Sequence, residues 1–135
     1  MKTGDILLIY TGVDEWYRTM SDADRHALFP AKGWVTMAGI AHTEAVCRYL
    51  WDHHIAVIAS DTVAVEVCPP DLTHIYGSLH PILIGQFGMM LGELLWLRDL
   101  AADCAEDGVC EMFFTASPIH VIGGIGSTTN AMAIK

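Results

Sequence analysis

The sequence predicts an α/β domain built from a mixed sheet with flanking helices, and three observations predict it. Residues 6–10 and 55–59 are short, continuous apolar runs, the pattern of strands buried on both faces. Apolar residues recur at helical spacing over residues 43–53 and again over 94–105. Extended runs return after residue 110, so helices and strands alternate along the chain.

Taken in order, the strand at 6–10 is closed by Thr11-Gly12 and leads into a loop. Residues 14–29 are polar and mixed; Ser21-Asp22-Ala23-Asp24 offers a cap before Leu28, and Pro30 should end a short helix set in a long connection. From Thr43, the residues Val46, Tyr49, Leu50 and His53 share one helical face, while Glu44 and Arg48 stand four apart on another. This amphipathic helix runs into the strand at 55–59, which stops at Ser60-Asp61-Thr62. Cys68-Pro69-Pro70 then breaks the backbone. Residues 72–84 suit another helix, and the glycine- and methionine-rich stretch 85–92 suits a short strand that delivers Glu93. A helix over 94–105 presents Leu94, Leu97, Leu100 and Ala101 together and stops at Gly108. Strands at 111–121 and 131–134, joined by Gly123-Gly124-Ile125-Gly126-Ser127, complete the chain.

Apolar residues make up 53% of the 135 and charged residues 17%, which suits one globular domain over residues 1–135 and argues against disorder. A chain of this size buries about two-thirds of the surface its unfolded form exposes. The surplus apolar surface therefore predicts a homo-oligomer or a partner chain. A net charge of -9 with seven Lys and Arg argues against nucleic acid as a partner. The apolar run at 81–97 is interrupted by Gln86 and Glu93 and is not a membrane span; no secretion signal is legible, so a soluble, cytoplasmic protein is expected. Cys47, Cys68, Cys104 and Cys110 contain no CxxC pair and are expected to be buried small hydrophobes.

Several motifs fail on chemistry. His42-Thr43-Glu44 matches the H-x-E of zinc deaminases, but the P-C-x-x-C that would complete the metal site is missing. The glycine run at 123–126, with Ser127-Thr128, has no lysine before its hydroxyls and reads as a turn. Neither G-x-S-x-G nor H-E-x-x-H occurs. His53-His54 are helix neighbours that point apart, one at the surface and one packed.

The pair that carries chemistry is His80, in Leu79-His80-Pro81, and Glu93, in Gly92-Glu93-Leu94, since imidazole and carboxylate are both ligands for zinc or manganese. Around it, stretches fall in a recognisable order. They are Gly4-Asp5-Ile6-Leu7-Leu8-Ile9-Tyr10-Thr11-Gly12 with Glu15-Trp16, then Ala59-Ser60-Asp61-Thr62, then the His80 and Glu93 segments, then Phe113-Phe114-Thr115-Ala116-Ser117-Pro118 and the glycine run. In these the chain resembles the C-terminal half of the cyclase family of metal-dependent hydrolases, which includes bacterial kynurenine formamidase.

The resemblance implies a swivelling β/β/α fold, present in part, and a site for a divalent metal, zinc or manganese. It implies that His80 and Glu93 are the metal ligands of this half. Asp61 aligns with an acidic residue near the family's pocket and, with Trp16, is a substrate-binding candidate. The family signature H-x-G-T-H-x-D, which carries the other ligands, and the catalytic histidine are expected to lie upstream of these residues.

Three readings follow. One is a hydrolase of a small amide, formamide or lactone, its site completed by a second chain or by His42, His74 or Asp61. The second is a metal-free fold that binds a small molecule or promotes its rearrangement. In it, Trp16, Trp34, Trp51 and Met89-Met90 line a pocket, although core packing is the simpler expectation for them. The third is an inactive partner subunit.

Overall fold

The structure, a computed structural model, describes residues 1–29 and 33–135. Backbone contacts divide it into two compact units, Met1–Leu97 and Arg98–Lys135.

The first unit is organised by a three-stranded sheet of β1 (Ile6–Ile9), β2 (Val57–Ser60) and β3 (Met90–Gly92), in that order and parallel throughout. Parallel neighbours cannot be joined by a tight turn, so both connections are long. The first carries α1 (Val13–Thr19), α2 (Asp22–Leu28) and α3 (Glu44–Asp52), and the second carries α4 (His80–Leu83). Helix α3 starts where the Thr43 hydroxyl accepts the Val46 N–H at 3.2 Å, and Glu44 pairs with Arg48 one turn on.

Register decides which side chains meet. Leu7, Ile58 and Leu91 form one row across the sheet, and this face packs against Cys47 and Leu50 of α3 and against Leu79, Ile82 and Leu83 around α4. Ile6, Val57 and Met90 form a row on the opposite face, where Ile6 is 39% and Met90 66% exposed. At the next position of that face Ala59 lies beside Gly92, and a Cβ on Gly92 would stand 2.8 Å from the Ala59 Cβ.

A second pairing lies beside the sheet. Met37 bridges Cys68 and Ile40 bridges Glu66, so residues 37–40 run against 65–68. Gly39 allows this approach, because a Cβ there would fall on the backbone carbonyl of Glu66.

The second unit contains α5 (Arg98–Asp107) and an antiparallel pair, β4 (Phe113–Thr115) and β5 (Met132–Ile134). Helix α5 ends at Gly108, whose φ of +72° is left-handed and whose N–H reaches the Cys104 carbonyl at 2.9 Å. Lys135 Nζ contacts Asp103 at 2.8 Å, Asp107 at 2.9 Å and the Val109 carbonyl at 2.9 Å.

The α/β class and the order of elements follow the sequence, with several corrections. The sheet is not mixed: its three strands are parallel, and the antiparallel pair is a separate sheet. The helix expected over 72–84 shrinks to His80–Leu83. Asp71 captures the Thr73 N–H at 3.0 Å and its hydroxyl at 2.6 Å, and the Asp71 N–H reaches the Gly77 carbonyl at 2.7 Å. Those local bonds compete with helical ones and close a turn instead.

The helix expected from Leu94 begins at Arg98, because the Leu94 and Leu95 N–H groups are already bonded to the Thr62 and Ser60 carbonyls at 3.1 and 3.0 Å. The strand expected over 111–121 is paired only at Phe113–Thr115. One expected helix over 14–29 is two, with Ser21 capping the second; Pro30, expected to end it, lies outside the described residues. Cys47 and Cys68 are buried as expected, whereas Cys104 is half-buried and Cys110 exposed. His53 closes α3 half-buried, and His54 lies beyond the helix, exposed, with φ +50°.

Replacing Gly39 with Ala should push the Glu66 strand away from residues 37–40 and cost about 1–3 kcal/mol, as insertion into a packed interior does. Urea unfolding measures it, and an unchanged midpoint would refute the close approach.

Candidate functional site

The carboxyl ends of parallel strands are where open α/β sheets place their ligands, because loops diverge there. Here β1 ends into Thr11-Gly12, β2 into Asp61 and β3 into Glu93. The register that sets Ala59 beside Gly92 therefore brings two acidic positions to the same end of the sheet.

Asp61 is buried, and both oxygens of its carboxylate are hydrogen-bonded. Its Oδ1 accepts the Thr11 N–H at 2.8 Å and the Thr11 hydroxyl at 2.7 Å, and its Oδ2 accepts the Gly12 N–H at 2.8 Å. It thus fixes the turn between β1 and α1. Gly12 has a φ of +79°, which a glycine adopts without strain. Trp16, one turn into α1, lines an open cavity of about 310 Å³ bordered by the same Thr11 and Gly12 and by Thr36 to Ala38. The tryptophans expected in the core are exposed: Trp16, Trp34 and Trp51 all face outward, as does Met90, and Met89 alone of that group is buried.

The central constellation is Glu66, His80 and Glu93. His80 opens α4, where Pro81 is tolerated because the first helical N–H groups need no intrahelical partner. Its Nε2 lies 3.0 Å from Glu93 Oε1 and its Nδ1 3.2 Å from Glu66 Oε2. Glu66 is only 4% exposed, and two further donors hold it: the Ser78 hydroxyl at 3.0 Å and the Leu79 N–H at 2.8 Å.

Two flanking carboxylates stabilise the imidazolium. The Glu66 hydrogen bond, followed by that of Glu93, pushes the His80 pKa up to about 10, against the opposing effect of burial. Burial pulls the Glu66 carboxyl upward, but the His80 and Ser78 hydrogen bonds, the His80 charge and the Leu79 N–H outweigh it and hold the pKa below the usual range. At neutral pH His80 is therefore a cation that donates one N–H to each carboxylate.

Of the residues the sequence singled out, the structure brings His80 and Glu93 together and sets Asp61 and Trp16 about the Thr11–Gly12 turn. His74 is engaged in its own turn, its Nδ1 accepting the Tyr76 N–H at 3.1 Å. His42 Nε2 is buried without a hydrogen-bond partner among the described residues. Glu66 is the residue sequence reasoning missed. Its signal was a single carboxylate inside the apolar run Val63-Ala64-Val65-Glu66-Val67.

No family model and no curated protein matches the sequence. A solved structure, a novel cyclase, superposes with a TM-score of 0.83 at 32% sequence identity, over 100% of this chain and 41% of that one. The fold is thus a small cyclase-like α/β fold. The chain spans about 41% of the length of that cyclase.

As a metal site, the donors fit in kind but not in number. Histidine nitrogen and glutamate oxygen converge at His80 and Glu93, yet no group of three or more His, Cys, Asp or Glu suited to a metal occurs among the described residues.

The pH dependence of stability follows in sign. His80's pKa is raised on folding, so its contribution is full below about 6.5 and is lost as pH climbs through about 10. The Glu66 pKa is lowered, so its contribution is present above about 4.5 and is lost as pH falls further. The stability gap between wild type and His80→Ala should be widest near pH 6 and close towards pH 10. Urea midpoints of both proteins across that range measure it, and a constant gap would refute the His80 assignment.

Proposed function

We propose that this chain contributes His80 and Glu93 to the divalent-metal site of a hydrolase acting on a small amide, formamide or lactone. The observation that carries the reading is the placing of His80 Nε2 3.0 Å from Glu93 Oε1 at the carboxyl end of a cyclase-like sheet. A bound zinc or manganese ion would polarise the carbonyl under attack and acidify water. Within this chain, His80 and Glu93 would hold it, Asp61 keeps the Thr11–Gly12 turn in place, and Trp16 offers an apolar wall to the substrate.

Two donors fall short of the three that a catalytic zinc takes from protein, so the remaining ligands come from outside this group. A second chain, another copy or a different polypeptide, supplies them in this reading. The exposed Ile6 and Met90 on the outer face of the sheet support it, because parallel sheets are normally covered on both faces. No helix among the described residues is long and apolar enough to cross a membrane.

A metal-free reading draws on the same bond. A proton already joins His80 to Glu93, and the cavity beside Trp16 could hold a small organic molecule by shape.

Metal content of chelator-free protein, before and after zinc or manganese is supplied, separates the two. Near-stoichiometric metal in the wild type, lost in both His80→Ala and Glu93→Ala, is the expected outcome and would be followed by formamide and lactone turnover. Wild type that takes up neither metal would sink a hydrolase site completed by copies of this chain and leave the metal-free pocket or a site that needs a different polypeptide.

A further inference from the structure

We infer that Cys104 and Cys110 form a redox pair: a hydroperoxide oxidises the exposed Cys110, and Cys104 then closes a disulfide that fastens the end of α5 to the segment leading into β4. The inference is independent of the metal reading, since both thiols belong to the second unit.

The two cysteines stand six positions apart. In an unbroken helix that spacing separates residues by about 9 Å along the axis, more than a disulfide spans. Here the helix stops between them. Gly108, at φ +72°, gives its N–H to the Cys104 carbonyl at 2.9 Å, and this left-handed cap turns the next residues back over the last helical turn. The Val109 N–H is held by Asp107 Oδ1 at 2.9 Å, and the Val109 carbonyl accepts from Lys135 Nζ at 2.9 Å. The same ammonium lies 3.9 Å from Cys104 Sγ. Lys135 thus draws Cys104 and the residue before Cys110 together, and the two thiols are hydrogen-bonded.

Exposure divides the roles. Cys110 is open to solvent and meets the oxidant first, whereas Cys104 is half-buried. Burial pushes the Cys104 thiol up, against the pull of the Lys135 ammonium, and Cys110 pushes the same way as burial, so Cys104 keeps its proton until it is needed. In the first step Cys110 attacks a peroxide oxygen: an S–O bond forms, the O–O bond breaks, and the departing oxygen leaves as water with the thiol proton. In the second, Cys104 attacks the sulfenic sulfur: the S–S bond forms, the S–O bond breaks, and hydroxide leaves as water with the Cys104 proton. Two electrons pass from the sulfurs to the peroxide. Lys135, beside Cys104 Sγ, steadies the negative charge that the second step develops there. Cys47 and Cys68, buried in the first unit with thiols that burial raises, serve as internal controls.

Stoichiometric hydrogen peroxide, given to the full chain at neutral pH, tests this. Alkylation under denaturing conditions and peptide mass mapping then locate each thiol. We expect one intramolecular disulfide between Cys104 and Cys110, in a yield unchanged on dilution, with Cys47 and Cys68 alkylated and both oxidised thiols recovered by dithiothreitol. Formation should be about tenfold or more faster in the folded chain than in guanidinium chloride, because the cap and the Lys135 clamp, and not sequence spacing, bring the thiols together. Cys104→Ser should accumulate a sulfenic acid on Cys110 that dimedone traps, and Cys110→Ser should leave Cys104 reduced at the same dose.

Sulfinic acid on Cys110 in place of the disulfide, a disulfide between two copies, or equal rates in the folded and denatured chains would each overturn the pair. So would a Cys110 that stays fully alkylated at a dose that oxidises the denatured chain. The wild-type map decides even where a serine variant fails to fold.

Discussion

A carboxylate buried as deeply as that of Glu66 must be satisfied from every side, and the layout of the first unit follows from how this is done. Three donors converge on it, from Ser78, Leu79 and His80, and they pull the start of α4 onto the segment that pairs with residues 37–40. That draws Leu79 and Leu83 into the core beneath the sheet. The polar cluster and the apolar core are thus two faces of one packing arrangement, and a change in either is felt in the other.

A similar economy operates at the end of β2. Asp61 accepts three hydrogen bonds from Thr11 and Gly12, so the first loop is tied to the middle strand while Trp16 is left facing outward. One acidic residue past β2 is consumed by structure, and one past β3 remains beside a histidine. Position at the carboxyl end of the sheet is shared by both, and the difference between them lies in which backbone N–H groups come within reach.

Much of this was legible in the sequence. The runs at 6–10 and 55–59 hold β1 and most of β2, the helix from Thr43 starts at its threonine cap, and His80 and Glu93, singled out through the family resemblance, do meet. Errors arose where local bonds or distant partners override pattern. Asp71 diverts its segment into a turn, and Leu94 and Leu95 look helical by spacing but give their N–H groups to the end of β2. Glu66 escaped notice because alternation along an apolar run cannot say which buried neighbour will satisfy a charge. Nor does sequence distinguish an exposed tryptophan from a core one, since both read as apolar.

The clamp at Lys135 has a different consequence. Asp103 and Asp107 occupy the closing turns of α5, where the carbonyl ends of a helix disfavour negative charge, and the ammonium between them offsets both that field and their mutual repulsion. Asp103 first, and then Asp107, holds the Lys135 amine above its usual range. An acyl group on that nitrogen would remove the cation and leave two acids and a row of carbonyls without their counterion. Amine-directed labelling of the second unit is thus not chemically neutral: a tag placed on Lys135 edits the end of a helix.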